Sequence, residues 1–160
     1  MKVPGEIESE IDHAGGADKV LRKLFSYRHP GPLFLPKGQA FKDVPAYPDW
    51  LSKDEAAYYS DKFKETGFTG GLNYYRALDS NWELTAPWTG AKVNVPVKFV
   101  VGDLDLTYNT LGAKEYIHHD MKKDVPLLQD VVVLEGVAHF LQQEQPELIT
   151  NHIYDFIRKF

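Results

Sequence analysis

Pro96-Val97-Lys98-Phe99-Val100-Val101-Gly102-Asp103-Leu104-Asp105-Leu106 decides the fold. Its first seven residues are compact and rich in β-branched side chains, and they stop at a glycine. That is the pattern of a buried strand running into a loop. Downstream, Val131-Val132-Val133-Leu134 repeats the pattern and ends near Gly136. Between the two, residues 113–119 read as helical. After the second strand, Ile149, Ile153, Phe156 and Phe160 fall on one helical face that starts at Pro146, a residue suited to a first turn. Strand, helix, strand, helix predicts a parallel pair joined by a right-handed crossover. The expected class is therefore α/β.

Working outward, the composition shifts near residues 88–95. The expected division is a helical segment over residues 1–90 and the α/β part over residues 91–160. In the first segment Val20, Leu21, Leu24 and Phe25 share a helical face. Residues 28–50 hold five prolines (Pro30, Pro32, Pro36, Pro45, Pro48), which rules out a long helix or a central strand. Ser52 followed by Glu55 is a capping-box signature, Gly67 suits the end of that helix, and Ala56, Tyr59 and Phe63 form its apolar stripe. A further helix is expected from Leu72 to about Trp82.

Composition narrows the function classes. The chain has 160 residues, 43% apolar and 26% charged, with a net charge of −5. This is the balance of a globular domain with a real core. No basic run is present to neutralise phosphates, so neither nucleic acid nor an anionic membrane is the expected partner. No apolar stretch approaches the roughly 20 residues of a membrane-spanning helix. The N-terminus lacks the apolar core of a signal peptide. Cysteine is absent, which excludes disulfides, thiolate catalysis and cysteine-type zinc sites and fits a reducing, cytoplasmic setting.

In open parallel sheets, ligands meet the loops beyond the carboxyl ends of the strands. Here those loops are Gly102-Asp103-Leu104-Asp105-Leu106 and Glu135-Gly136-Val137-Ala138-His139-Phe140. A carboxylate and an imidazole arriving on one sheet edge form an orienter–base pair. The carboxylate selects the tautomer and stabilises the imidazolium that forms. Spacing alone admits either Asp103 or Asp105. A loop Asp and a loop His after strands are also common in proteins without catalysis, and the glycines serve equally as turn residues. No Gly-x-Ser-x-Gly elbow and no strand–Asp–helix elbow precedes Asp105. Gly16-Ala17-Asp18 lacks the preceding strand and the following glycine. His118-His119-Asp120 is a weak metal candidate, because neighbouring residues on a helix point apart.

The run Gly67-Phe68-Thr69-Gly70-Gly71-Leu72-Asn73-Tyr74-Tyr75-Arg76-Ala77-Leu78 resembles the lid helix of soluble epoxide hydrolases, especially those of plants. The resemblance continues through Asn81-Trp82-Glu83-Leu84, Gly102–Leu106, Val131–Phe140 and His152-Ile153-Tyr154-Asp155-Phe156. It takes in Pro4-Gly5-Glu6-Ile7-Glu8 and Pro36-Lys37-Gly38 as well. It implies an α/β-hydrolase fold with a helical lid and no metal or organic cofactor. The implied substrate is a small-molecule epoxide, fatty-acid epoxides among them, and the product a vicinal diol. In that family an aspartate forms an alkyl-enzyme ester. Two lid tyrosines donate to the epoxide oxygen, and a histidine oriented by a second acid activates water.

The resemblance matches Tyr75 to the second lid tyrosine, Asp105 to the orienting acid and His139 to the base. Leu106 and Phe140 flank the pair as candidate substrate contacts. The match begins inside the lid. The nucleophilic aspartate, the His-Gly-aromatic-Pro segment and the first lid tyrosine are therefore expected outside these 160 residues, and this chain alone is expected to be inactive. Alternatives of another class are a non-catalytic fragment that self-associates through an exposed strand edge, and a haloalkane dehalogenase or esterase relative. Tyr75 favours the epoxide, since a phenol is protonated at neutral pH and can donate to a developing alkoxide.

Overall fold

Val97–Gly102 forms strand β1 and Leu128–Leu134 forms strand β2, and the two pair in parallel. The computed structural model describes residues 3–29, 31–34 and 37–160. Met1, Lys2, Pro30, Leu35 and Pro36 lie outside the described residues. With them go two of the five prolines of segment 28–50 and the first residue of the Pro36-Lys37-Gly38 match. The described residues fall into two compact units. One comprises Met1–Ser26 and Phe34–Thr89, the other Tyr27–Leu33 and Gly90–Phe160.

The first unit is helical. Helix α1 spans Glu6–His13 and α2 spans Gly16–Phe25. Ile11, Ala14 and Val20 are buried, with Ile7, Phe41, Phe68 and Leu72 packed against them. Leu21 is fully enclosed. Phe25 meets Tyr47, Trp50 and Tyr59 at ring separations of 6.4, 5.9 and 5.4 Å. Helix α3, Lys53–Thr66, starts where the capping box places it. The Glu55 N–H donates to Ser52 Oγ at 3.2 Å, and the Ser52 N–H donates to Glu55 Oε2 at 3.1 Å. Such a cap contributes about 1 kcal/mol. The single helix expected from Leu72 to about Trp82 is instead two, α4 at Thr69–Arg76 and α5 at Leu78–Leu84, broken at Ala77, with a 3-10 turn at Ala86–Trp88.

Helix α4 is pinned to α1 by an ion pair. Arg76 donates from Nη1 to Glu8 Oε1 at 2.9 Å and from Nη2 to Glu8 Oε2 at 2.8 Å, and Thr69 Oγ1 donates to Glu8 Oε1 at 3.0 Å. This bidentate guanidinium, ahead of the other donors, lowers the Glu8 carboxyl from the ordinary 4.5 to about 2. A depressed folded value means the contribution is complete above the unfolded value and is lost as pH falls through the folded one. Helix α4 is therefore expected to loosen between pH 4.5 and about 2. Amide exchange of α4 against pH checks this, and Glu8→Gln is expected to remove that acid step.

The second unit is built on the two strands. Register runs from Val97 opposite Leu128 to Gly102 opposite Leu134, with an irregularity between Val97 and Lys98. Strand β2 starts three residues before the expected Val131. The crossover is helical as expected, but it is divided into α6 at Ala113–Glu115, a π-helical turn at Tyr116–Asp120 and α7 at Met121–Asp124. Helix α8, Leu141–Glu144, leads into α9, Pro146–Ile157. Leu134, Val137 and Ile149 form the core here, covered by Val100, Val132 and Leu141. Burying one such aliphatic side chain contributes roughly 1.5–3 kcal/mol. Of the apolar face read for the last helix, Ile149 is buried, whereas Ile153 and Phe160 are exposed. Among the described residues no helix is long and apolar enough to cross a membrane.

Candidate active site

Both loops that follow the strands leave the same edge of the sheet, and backbone bonds join them. The Asp103 N–H donates to the Leu134 carbonyl at 3.0 Å, and the Leu104 N–H donates to the Val137 carbonyl at 3.0 Å. The approach is so close that Gly102 has no room for a side chain. A Cβ there would lie 2.0 Å from the Val137 carbonyl oxygen. At the far turn Gly136 has φ of 67°, a left-handed conformation that costs an L-residue roughly 1–2 kcal/mol.

These constraints deliver Asp105 and His139 to one point. Asp105 is 5% exposed. Its Oδ1 accepts the backbone N–H groups of Thr107 at 2.6 Å and Tyr108 at 2.9 Å, an Asx-type turn that fixes the carboxylate. Its Oδ2 lies 2.7 Å from His139 Nδ1. An ionised carboxylate can only accept, so in this contact Nδ1 is the donor. The His139 side chain remains 42% exposed, and the Phe140 ring stands edge-on to it at 5.2 Å.

Asp103, open beside Asp105 on spacing, is used differently. Its carbonyl accepts from Asn109 Nδ2 at 2.8 Å, and the same nitrogen donates to the Asp105 carbonyl at 2.9 Å. Asn109 thereby clamps the turn that presents Asp105. Neither Asn109 nor Glu144 stood out in the sequence. The Glu144 Oε2 accepts the Ala138 N–H at 2.8 Å, one residue before the histidine. A polar side chain four residues past Asp105 and an acid five past His139 were the available signals.

A cavity of about 310 Å³ lies against the pair, lined by Phe99, Val101, Asp105, Tyr108, Ile117 and His139 among others. Leu106 and Phe140 do not line it. Leu106 uses its carbonyl to accept the Thr110 hydroxyl. A larger cavity in the first unit, about 610 Å³ between Arg22, Tyr47 and Lys53, contains none of the candidate site residues. Tyr75 sits on α4 in the first unit and is 62% exposed, and its neighbour Tyr74 is more so. His118 receives a structural partner, Tyr108 Oη at 2.7 Å from its Nε2. Among the described residues no group of three or more His, Cys, Asp or Glu converges as a metal site would require.

No protein-family model matches the chain. Epoxide hydrolase 3 of Siraitia grosvenorii is 52% identical over 164 residues, covering all of this chain and 52% of the relative. Among solved structures, epoxide hydrolase I of potato superposes with a TM-score of 0.90 at 58% identity, covering 99% of this chain and 51% of that one. An epoxide hydrolase variant of Vigna radiata gives 0.91 at 50% identity, covering 99% and 52%. The chain thus spans about half the length of the relatives it matches. With this identity running from end to end, the chain belongs to the plant-type epoxide hydrolases and corresponds to the C-terminal part of their α/β-hydrolase fold.

Proposed function

We propose that this chain supplies the water-activating half of an epoxide hydrolase site, with His139 as base, Asp105 as its orienting acid and Tyr75 as proton donor. The nucleophile comes from residues outside positions 1–160. The observation that carries the reading is the 2.7 Å contact between His139 Nδ1 and the buried Asp105 carboxylate. On this reading residues 1–90 are the lid segment and residues 91–160 the core segment.

An aspartate carboxylate attacks one epoxide carbon, and the C–O bond of the ring breaks. The Tyr75 hydroxyl donates its proton to the alkoxide as it forms. The resulting ester is opened by water, whose proton passes to Nε2 of His139 while Asp105 holds the ring and offsets the imidazolium charge. The water-derived hydroxide adds to the ester carbonyl, and the acyl C–O bond breaks with the diol oxygen leaving as alkoxide. That alkoxide takes the remaining water proton from the new carboxyl group, which regenerates the aspartate carboxylate, and the proton held by His139 returns to the tyrosinate. The sum is epoxide plus water to vicinal diol.

The substrate end rests on exposed apolar residues of α4 and α5, Tyr75 on the first and Leu78 and Trp82 on the second. An apolar epoxide, such as one on a fatty acyl chain, suits that face. The two-stranded sheet and the exposed Ile153 and Ile157 of α9 also favour self-association of the isolated chain.

The test uses this chain alone and fused behind the part of the potato enzyme that it does not match. The chain alone is expected to form no diol above the uncatalysed rate, whereas the chimaera is expected to turn over an aryl epoxide. Diol formation by the isolated chain, or a folded but inert chimaera, overturns the proposal.

A further inference from the structure

Residues Tyr27–Leu33 belong to the second unit although the residues on both sides in sequence belong to the first. This segment brings Arg28 to the histidine loop. Arg28 Nη1 donates to Glu144 Oε1 at 2.5 Å, and Nη2 donates to the Gly136 carbonyl. The other oxygen of Glu144, Oε2, accepts the Ala138 N–H. One guanidinium therefore holds the entry of the loop directly and its centre through Glu144, with His139 next in the chain. The Glu144 side chain is 8% exposed and that of Arg28 is 41% exposed.

We propose that Arg28 is a positioning residue for His139. Its guanidinium, bonded to Glu144 and to the Gly136 carbonyl, fixes the Gly136–Phe140 loop so that Nδ1 meets Asp105. This rests on the reading of Asp105 and His139 as acid and base, and it adds a third group that touches neither the ring nor substrate.

The physical case is geometric. The loop carries left-handed Gly136, and the backbone bond from Leu104 holds it at Val137. The Ala138 N–H donates to a carboxylate that is itself held in place by Arg28. Without the guanidinium, Glu144 becomes a nearly buried carboxylate short of a counter-charge, and it draws toward water. The Ala138 bond then weakens, and His139 is free to rotate away from Asp105. Lysine cannot replace the fork, because a single ammonium does not span both acceptors in the same geometry.

The tautomer of His139 in the full chain reads this out without any need for turnover. Ring ¹⁵N spectra of the neutral imidazole are expected to show Nδ1–H in the unaltered chain. In Arg28→Met and Glu144→Gln a mixture in which Nε2–H is the larger part is expected, with the amide pattern of the first unit unchanged. Arg28→Lys is expected to recover part of the Nδ1–H form. Asp105→Asn serves as the reference for complete loss. Should Arg28→Met keep the Nδ1–H form while Asp105→Asn loses it, the pair stands and the Arg28 proposal falls. Should Asp105→Asn leave the tautomer unchanged, the acid–base reading itself fails. Collapse of the whole spectrum in both Arg28→Met and Arg28→Lys assigns Arg28 to the fold at large and likewise overturns its positioning role.

Discussion

Replacing His139 with glutamine in the chimaera is expected to lower steady-state diol formation by about 10²–10⁴-fold, the range a positioned general base contributes. Glutamine fills much of the same space, and its amide can still donate to the Asp105 carboxylate 2.7 Å from the present ring nitrogen. It cannot accept a proton from water at neutral pH. On the proposed roles ring opening does not need His139, because Tyr75 is the donor of the alkoxide's proton. The enzyme is expected to consume one equivalent of epoxide per site and stall as the ester, with no diol released in that phase. Asp105→Asn is expected to act in the same step through the tautomer. Stopped-flow and product analysis separate that phase from steady state. Undiminished steady-state turnover in His139→Gln rules out the base assignment.

Gly102→Ala is expected to destabilise the second unit by about 3 kcal/mol, the upper end for forcing a group into filled space. The new Cβ would meet the Val137 carbonyl oxygen at 2.0 Å, its carbon at 2.5 Å and the Ala138 carbonyl oxygen at 3.0 Å. All three are backbone atoms, so no side chain can rotate away. The loop must shift as a whole, which breaks the bond from Leu104 to Val137 and carries His139 away from Asp105. Gly70→Ala is the control. It lies within α4, its Cβ meets open space, and it is expected to be neutral or to stabilise by about 0.5–1 kcal/mol. Denaturant unfolding of the two variants checks the contrast. Equal stability of Gly102→Ala and the unaltered chain contradicts the packing account.

Much of the site was legible because it depends on local pattern. The β-branched runs at residues 97–102 and 131–134 announce parallel strands, and parallel strands deliver their following loops to one edge. That places an Asp and a His together before any contact is seen. The cap at Ser52 was legible for the same reason, since both partners lie within one turn.

The remainder depends on contacts between distant residues. The first three residues of β2 include Gln129 and Asp130, which carry no strand signal. Asp130 joins the ladder opposite Lys98, and their side chains pair at 3.5 Å. The two ion pairs that brace the candidate residues link positions 68 and 116 apart. Glu8 holds the helix of Tyr75, and Arg28 holds the loop of His139. Neither pair leaves a periodic trace in the chain. Spacing alone left Asp103 and Asp105 open, and the resemblance chose Asp105; the Asx turn supplies the physical reason, directing that carboxylate to the ring while Asp103 is tied through its backbone.

The proposed function divides the labour: residues outside positions 1–160 form the ester and His139 of this chain activates the water that opens it. The decisive measurement is peptide mapping of the His139→Gln chimaera after one equivalent of epoxide has reacted. A single adduct of the epoxide's mass is expected, on an aspartate of the potato-derived part and on no residue of this chain. An adduct on any residue of this chain contradicts it.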